Sequence, residues 1–288
     1  MATAVAVPRK ARAEARSLER LRLHYSVERQ LADRLRDAAD AKERQRICAT
    51  MYDELFRLVP DHPRLAEKAA DTTLRERDIG WNMAQLKPYL RRGCTFLEVG
   101  AGDCALSARV SETAGKVFAV DISARSRKLR LPRNVRFVRT RGTDIGVPIE
   151  TVDLAFSDQL MEHLHPDDAI TQLKNIRRVL KPGGVYLCVT PNRLYGPSDV
   201  SGYFEDVARG FHLREYSVRE IREIFRAAGF PKQHVYIGAR GLFLRCPAFL
   251  VETLETTIEW LPRFLRRRVA RVSILRALLG VRVAGIKG

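Results

Sequence analysis

Up to about residue 92, apolar positions recur at helical spacing among charges. Leu18, Leu21, Tyr25, Leu31 and Leu35 predict one amphipathic helix, and Ile47, Met51, Leu55 and Leu58 predict a second. Pro60 and Pro63 in VPDHP (59–63) remove backbone donors and end that helix. A third helical stretch is expected from Leu74 to Leu90, closing at Arg91-Arg92-Gly93. From residue 95 the pattern changes to short apolar runs. TFLEVG (95–100), KVFAVDI (116–122), NVRFVRT (134–140), VDLAFS (152–157), GVYLCVT (184–190) and HVYIGA (234–239) predict strands. Helices fit between them, most clearly Asp167–Val179 and Val218–Ala228, the latter ended by Gly229. Strands alternating with helices predict a mostly parallel sheet covered on both faces, a doubly wound α/β fold. Beyond 241, residues 250–261 and 262–279 predict helices, and 279–286 alternate like a strand. The last strand of the sheet is expected at 280–286, after a helical insertion. The alternative places it at LFLRC (242–246) and leaves the rest as a tail. The organisation is therefore an N-terminal helical extension (1–92), an α/β core (93–240) and a basic helical segment (241–288).

With 288 residues and 45% hydrophobic content, the chain can bury one full α/β core with additional elements. None of its five cysteines forms a C-x-x-C pair, which predicts reduced packing residues in a cytoplasmic protein. The N-terminal MATAVAVPRKARAEARS has no apolar run after its basic residues, so a secretory signal is not expected. No run of about 18 uncharged apolar residues predicts a membrane-spanning helix. The formal net charge is +17, and residues 240–288 carry +7 of it. A solvated basic surface is the simplest account. PRFLRRRVARVSILRALL (262–279) also mixes apolar residues with Arg263, Arg266, Arg267, Arg268 and Arg271, a composition suited to peripheral contact with an anionic membrane. A nucleic-acid partner is disfavoured, because no aromatic residues are interleaved there as stacking platforms.

The stretch FLEVGAGDCALS (96–107) reads as strand, glycine turn and helix start. Gly100 and Gly102 permit a tight turn and close approach of a ligand. With Ala105 they fit a dinucleotide G-x-G-x-x-G/A pattern, and Asp121 follows at about the spacing of a ribose-binding acid. Glu98 argues against a dinucleotide. A carboxylate at the end of the first strand is expected to face the crevice, where it repels a pyrophosphate but attracts the ammonium and sulfonium of S-adenosylmethionine (SAM). The helix start after Asp103 is expected to offer amide donors to the methionine carboxylate.

An ordered set of motifs over about 90–240 resembles the class I SAM-dependent methyltransferases, especially the small-molecule branch. The set is Glu98-Val-Gly-Ala-Gly102, Val120-Asp121-Ile122, Gly142-Thr143-Asp144, Val147-Pro148, Thr151-Val-Asp153-Leu, Leu160-Met-Glu162-His163-Leu, and Val179-Leu-Lys-Pro-Gly-Gly184. The resemblance implies a seven-stranded Rossmann-like fold, SAM as cofactor, and methyl transfer. It places Glu98, Gly100, Ala101, Gly102, Asp121 and Ile122 at the cofactor, with the adenine contact open between Thr143 and Asp144. Gln159 and Glu162 fall where the family touches the methionine end of SAM, and Asp158 beside them is placed with the cofactor. The chain departs from the pattern at Cys104, which stands in the third glycine position, and at Gly142-Thr143, where the family often has Gly-Asp. Asp153 is expected to be structural.

Methyl transfer from a sulfonium is an in-line displacement, so much of the work is positioning. An oxygen or nitrogen acceptor also needs a base, and the candidates are His163 and His212. The acceptor is expected above the carboxyl ends of strands four and five. Residues 191–217, with Tyr195, Tyr203, His212 and Tyr216, are expected to form a lid, and the insertion 241–279 to fold over the top. No metal set is expected. His163, His165, Asp167 and Asp168 lie close in sequence, but Pro166 and the helix start read as a cap. Ser157-Asp158-Gln159-Leu160 stands where an Asp/Asn-Pro-Pro-aromatic motif would mark amino-group methylation of nucleic acid. The favoured acceptor is a small molecule methylated at oxygen. The alternatives are RNA or protein docked on the basic ends, a lipid or quinone-like molecule at a membrane, and a non-catalytic SAM-binding scaffold.

Overall fold

The computed structural model of the protein describes residues 16–63, 65, 72–122, 130–239 and 241–288; the N-terminal MATAVAVPRKARAEA lies outside them. The N-terminal extension forms α1 (Leu18–Arg36), α2 (Ala41–Leu58) and α3 (Thr72–Leu86). Ser17 and Asp40 cap α1 and α2 by accepting hydrogen bonds from the amides of Arg20 and Glu43. The core then runs β1 (Thr95–Val99), α4 (Ala105–Val110), β2 (Lys116–Asp121), β3 (Val135–Arg139), β4 (Val152–Asp158), α5 (Pro166–Val179), β5 (Leu180–Thr190), α6 (Val218–Ala227) and β6 (Lys232–Ala239). It ends with β7 (Leu242–Cys246), α7 (Ala248–Glu259), α8 (Arg263–Ala270), α9 (Ser273–Leu279) and β8 (Val281–Ile286).

Among the described residues these strands form one eight-stranded sheet in the order β3-β2-β1-β4-β5-β8-β6-β7. From β3 to β5 the pairing is parallel, and β8 runs antiparallel to both β5 and β6. Strand alternation divides the core in two. Leu97, Val99, Phe118, Val120, Ala155 and Tyr186 face α5 and α6. Phe96, Val117, Ala119, Leu154 and Phe156 face α3 and α4. Continuous apolar strands are what a sheet buried on both faces requires. The chain leaves β1 toward β2 on one side and returns through β4 on the other, which opens a crevice at the carboxyl ends of β1 and β4.

The last strand lies where the first expectation put it, and 242–246 form a strand as well, but the residues after 246 are not a tail. Residues 281–286 enter the sheet between β5 and β6, and 242–246 form an additional edge hairpin with β6. This makes eight strands rather than seven. The predicted helix over 262–279 is divided into α8 and α9, with Val272 extended between them (φ −59°, ψ 133°).

Glu255 on α7 anchors this inserted region. It is 2% exposed and accepts hydrogen bonds from Asn192 Nδ2 (2.6 Å), the Val218 amide (2.8 Å) and the Arg219 amide (3.4 Å). Those amides belong to the first turn of α6 and have no partner within the helix. Glu255→Ala is expected to lower unfolding free energy by about 3 kcal/mol, because buried donors lose their acceptor. Urea denaturation checks this, and a loss under about 1 kcal/mol would remove Glu255 from that role.

Candidate active site

A cavity of about 380 Å³ opens at the crevice between β1 and β4. That volume falls in the range of small-molecule sites. Gly100, Gly102, Asp121, Ile122, Thr143, Asp158, Gln159 and His163, all singled out from the sequence, line it. The turn after β1 is held by the Gly100 and Ala101 amides, which both donate to the Val120 carbonyl (2.8 and 3.1 Å). Gly100 takes φ +80°, and a Cβ there would lie 3.3 Å from Leu160 Cδ1. The Gly102 amide donates to Asp121 Oδ2 (2.8 Å), which ties the turn to the end of β2. Cys104 adopts φ +59° and is buried, so a small side chain occupies a left-handed position that favours glycine.

Of the residues expected at the cofactor, Glu98, Ala101, Asp144 and Glu162 do not line the cavity. Glu98 shares the strand face of Phe96, so it points beneath α4, where Ser107 Oγ donates to its Oε2 (2.5 Å). Burial raises its pKa from the ordinary 4.5 to about 8. Ala101 is buried in the core. Asp144 accepts from the Gly146 amide (3.3 Å) in its own turn, whereas Thr143 stands on the cavity wall. The first-turn amide of α4, expected to receive a ligand carboxylate, is bonded by Asp103 (3.1 Å). Asp158 accepts from Asn82 Nδ2 on α3 (2.9 Å), and burial raises its pKa.

The roof of the cavity is α2. Cys48, Met51, Tyr52, Asp53 and Phe56 line it, and nothing in the sequence pattern marked them as site residues. Arg44 fastens this roof through a part-buried, two-point pair with Asp168 (Nε–Oδ2 and Nη2–Oδ1, both 2.7 Å). Asp168 thus serves the roof, and His165 caps α5 by accepting from the Asp167 amide (3.3 Å).

A second cavity of about 390 Å³ adjoins the first, and Tyr52 and His163 line both. Four of the six histidines, His24, His62, His163 and His212, face it, together with Glu28, Asp199, Tyr203 and Phe211. The segment 191–217, expected as a lid, forms part of its wall. Tyr216 is instead wholly buried, and Tyr195 lies under the Arg276 guanidinium (5.4 Å). Among the described residues, neither cavity takes a lining residue from 241–279, so the insertion does not cover the site.

His163 and His212 come together, 49 positions apart, with ring centroids 4.9 Å apart and edge to face. His163 Nδ1 donates to the Phe211 carbonyl (2.9 Å), and His212 Nδ1 bonds Glu215 Oε1 (2.7 Å). Burial disfavours the His212 cation, but the Glu215 hydrogen bond and the charges of Glu162 and Asp199 outweigh it and raise the pKa. Glu162 does not reach the first cavity. It is wholly buried, accepts from Thr190 Oγ1 (2.8 Å), and is pushed by burial to about 7. On the far wall, His24 Nε2 bonds Glu28 Oε1 (2.8 Å), with His62 Nε2 3.6 Å from the same oxygen. Burial opposes the Glu28 charge, yet hydrogen bonds from His24 and His62 hold its pKa well below the usual range. The pair at His24 is an i, i+4 couple on a predicted helix, a signal legible in the sequence.

Residues 97–188 match the family described as "Methyltransferase domain". A probable S-adenosylmethionine-dependent methyltransferase of Mycolicibacterium smegmatis is 30% identical over 142 residues, 48% of this chain and 52% of that protein. The match thus spans about half the length of that curated relative. Among solved structures, the fold is similar to a Haloferax volcanii putative methyltransferase in complex with the Trm112 activator (TM-score 0.53, 21% identity, 77% of this chain and 94% of that chain). It is also similar to Burkholderia thailandensis 1,6-didemethyltoxoflavin-N1-methyltransferase with bound S-adenosylhomocysteine (TM-score 0.53, 20% identity, 87% and 91%). The glycine turn, the acid ending β2 and most of the parallel strands lie in the segment that is similar to a SAM-dependent methyltransferase domain.

Proposed function

We propose that the chain transfers a methyl group from SAM to a small molecule, at an oxygen. The observation that carries this reading is the pair of adjoining cavities with Tyr52 and His163 in their common wall. The first has the features a SAM site needs. The Gly100–Gly102 backbone permits close approach, the Asp121 carboxylate ends β2 where ribose hydroxyls would lie, and Ile122 and Thr143 follow on the adenine side. Asp158 and Gln159 stand at the methionine end. SAM supplies a methyl group on a cationic sulfur, and the C–S bonding pair stays on sulfur as the bond to the acceptor oxygen forms. The chain's own residues hold the two partners in line across the shared wall. The hydroxyl proton has imidazoles within the second cavity to receive it. The roof formed by α2 keeps water from the transfer.

A second reading is favoured by the exposed residues of 249–276. Trp260 is 85% exposed and Ile274 73% exposed, and Phe249, Val272, Arg268, Arg271 and Arg276 are exposed in the same segment. Apolar and cationic groups mixed in this way suit an anionic lipid surface. The acceptor is then a membrane lipid or quinone-like molecule rather than a water-soluble compound, and the two readings part at the chemical class of the methylated product. No helix among the described residues is long and apolar enough to cross a membrane.

Titration calorimetry with SAM tests the cofactor assignment. Asp121→Ala is expected to weaken binding by at least about 10-fold, or about 1.4 kcal/mol. Asp144→Ala, which alters a turn outside the cavity, is expected to leave it within about 2-fold. Equal effects of the two would contradict the assignment. Glu98 generates a pH prediction. Its folded pKa of about 8 lies above the ordinary 4.5, so the folded chain binds this proton more tightly than the unfolded chain. Its contribution to stability is full below 4.5 and falls as pH rises to about 8, by at most about 1.4 kcal/mol per pH unit. Glu98→Gln is expected to flatten the decline in unfolding free energy over that window. An unchanged slope would show that the Glu98 carboxyl is not buried in the protonated form.

A further inference from the structure

Glu162, His163 and His212 each present a ligand atom to the others, and those atoms all lie within 4.8 Å of one another. Two features distinguish this group from a chance meeting. Both imidazoles have Nδ1 engaged by oxygen, His163 with the Phe211 carbonyl and His212 with the Glu215 carboxylate. That is the arrangement by which metal-binding histidines are oriented and made more basic, with Nε2 as the ligating nitrogen. The second feature is Glu162. It has no exposed surface, Thr190 Oγ1 holds its Oε2, and its Oε1 has no hydrogen-bond partner among the described residues. A buried, unpaired carboxylate oxygen is costly unless something cationic fills the space beside it. Thr190 thus stands behind Glu162 as Phe211 and Glu215 stand behind the histidines.

We propose that Glu162 Oε1, His163 Nε2 and His212 Nε2 form a binding site for one divalent transition-metal ion. Two imidazoles and one carboxylate make a set of intermediate hardness, which suits Zn²⁺, Fe²⁺, Co²⁺ or Mn²⁺ and not the all-oxygen preference of Ca²⁺. Ligand bonds of about 2.1 Å at angles of about 90–120° place such atoms about 3.0–3.6 Å apart, so atoms as far apart as 4.8 Å close by about 1–2 Å around the ion. Carboxylates surround the group, since the charges of Asp199 and Glu215 also act on His212. Three protein ligands leave open positions, and His163 and His212 both face the second cavity. In the methyl-transfer reading, on which this last step rests, the open positions hold an oxygen of the acceptor beside the wall shared with the SAM cavity. The second histidine cluster then remains as the proton receiver. That cluster also brings ligand atoms together, but several of them are already paired with protein groups. Arg16 donates to His24 Nδ1 (3.0 Å), so His24 Nε2 carries the proton it gives to Glu28, and the Phe211 amide occupies Glu28 Oε2 (3.2 Å).

The test is metal binding itself, measured on the full chain after chelator treatment, by calorimetry with Zn²⁺ and by the visible spectrum with Co²⁺. One ion per chain is expected, with Co²⁺ bands of a low-coordinate nitrogen and oxygen site. Glu162→Gln and His212→Asn are each expected to weaken binding at least about 30-fold, in line with loss of one ligand. Glu28→Gln, in the other cluster, is expected to leave it unchanged. SAM calorimetry on the same variants reports the cofactor cavity separately and shows that they remain folded. Failure of the wild-type chain to bind Zn²⁺ or Co²⁺, or equal binding by the Glu162 and His212 variants, overturns the metal site while leaving SAM binding untouched.

Discussion

The Arg44–Asp168 pair is the contact on which the geometry of the site depends. It joins α2 to the first turn of α5 through two 2.7 Å hydrogen bonds, and Arg44 is 7% exposed. Burial of such a pair contributes little net stability against an apolar alternative, but loss of one partner strands the other. What the pair secures is position. With α2 fixed over the crevice, Tyr52 and Met51 line one wall and the groove becomes a roofed cavity. Arg36 extends the attachment by donating to the Arg209 and Gly210 carbonyls, and Tyr25 donates to Glu205. The helical extension is therefore part of the site rather than an appendage to it.

That closure also explains where the titratable groups collect. The wall segment 198–212 is drawn against α1 and α2, which buries Glu28, His24, His62 and His212 around one small space. Each buried acid has a specific partner: Glu28 its histidines, Glu162 the Thr190 hydroxyl, Glu215 the His212 ring and the Ser198 amide. The histidines collect mainly at the second cavity, whereas the first is lined by apolar groups and glycines with Asp53, Asp103, Asp121, Asp158 and Asp168 around it. A nucleoside-sized ligand and a polar acceptor fit that division.

The parts of this arrangement that are local were legible in the sequence. The central strands of the sheet announce themselves as apolar runs, and the glycine turn and Asp121 lie within one β-α-β unit, so their proximity follows from chain connectivity. Glu98 shows how alternation alone places a side chain. Alternation along β1 puts it on the face of Phe96, beneath α4, and not at the open edge. The choice between Thr143 and Asp144 turned on one residue of backbone, which spacing alone does not settle. The rest is tertiary. Tyr52 joins the site because α2 docks where Arg44 finds Asp168, 124 positions away. His212 meets His163 because 191–217 packs as a wall instead of standing off as a lid. No periodicity encodes such meetings.

The most direct measurement is transfer of an isotopically labelled methyl group from SAM into a fractionated cell extract, with heat-treated protein as control. The account predicts label in a water-soluble product of low molecular weight, stable to mild base as a methyl ether is. Label in protein or RNA, or no transfer in the presence of demonstrated SAM binding, would contradict it, and label in the lipid extract would move the acceptor to the membrane surface.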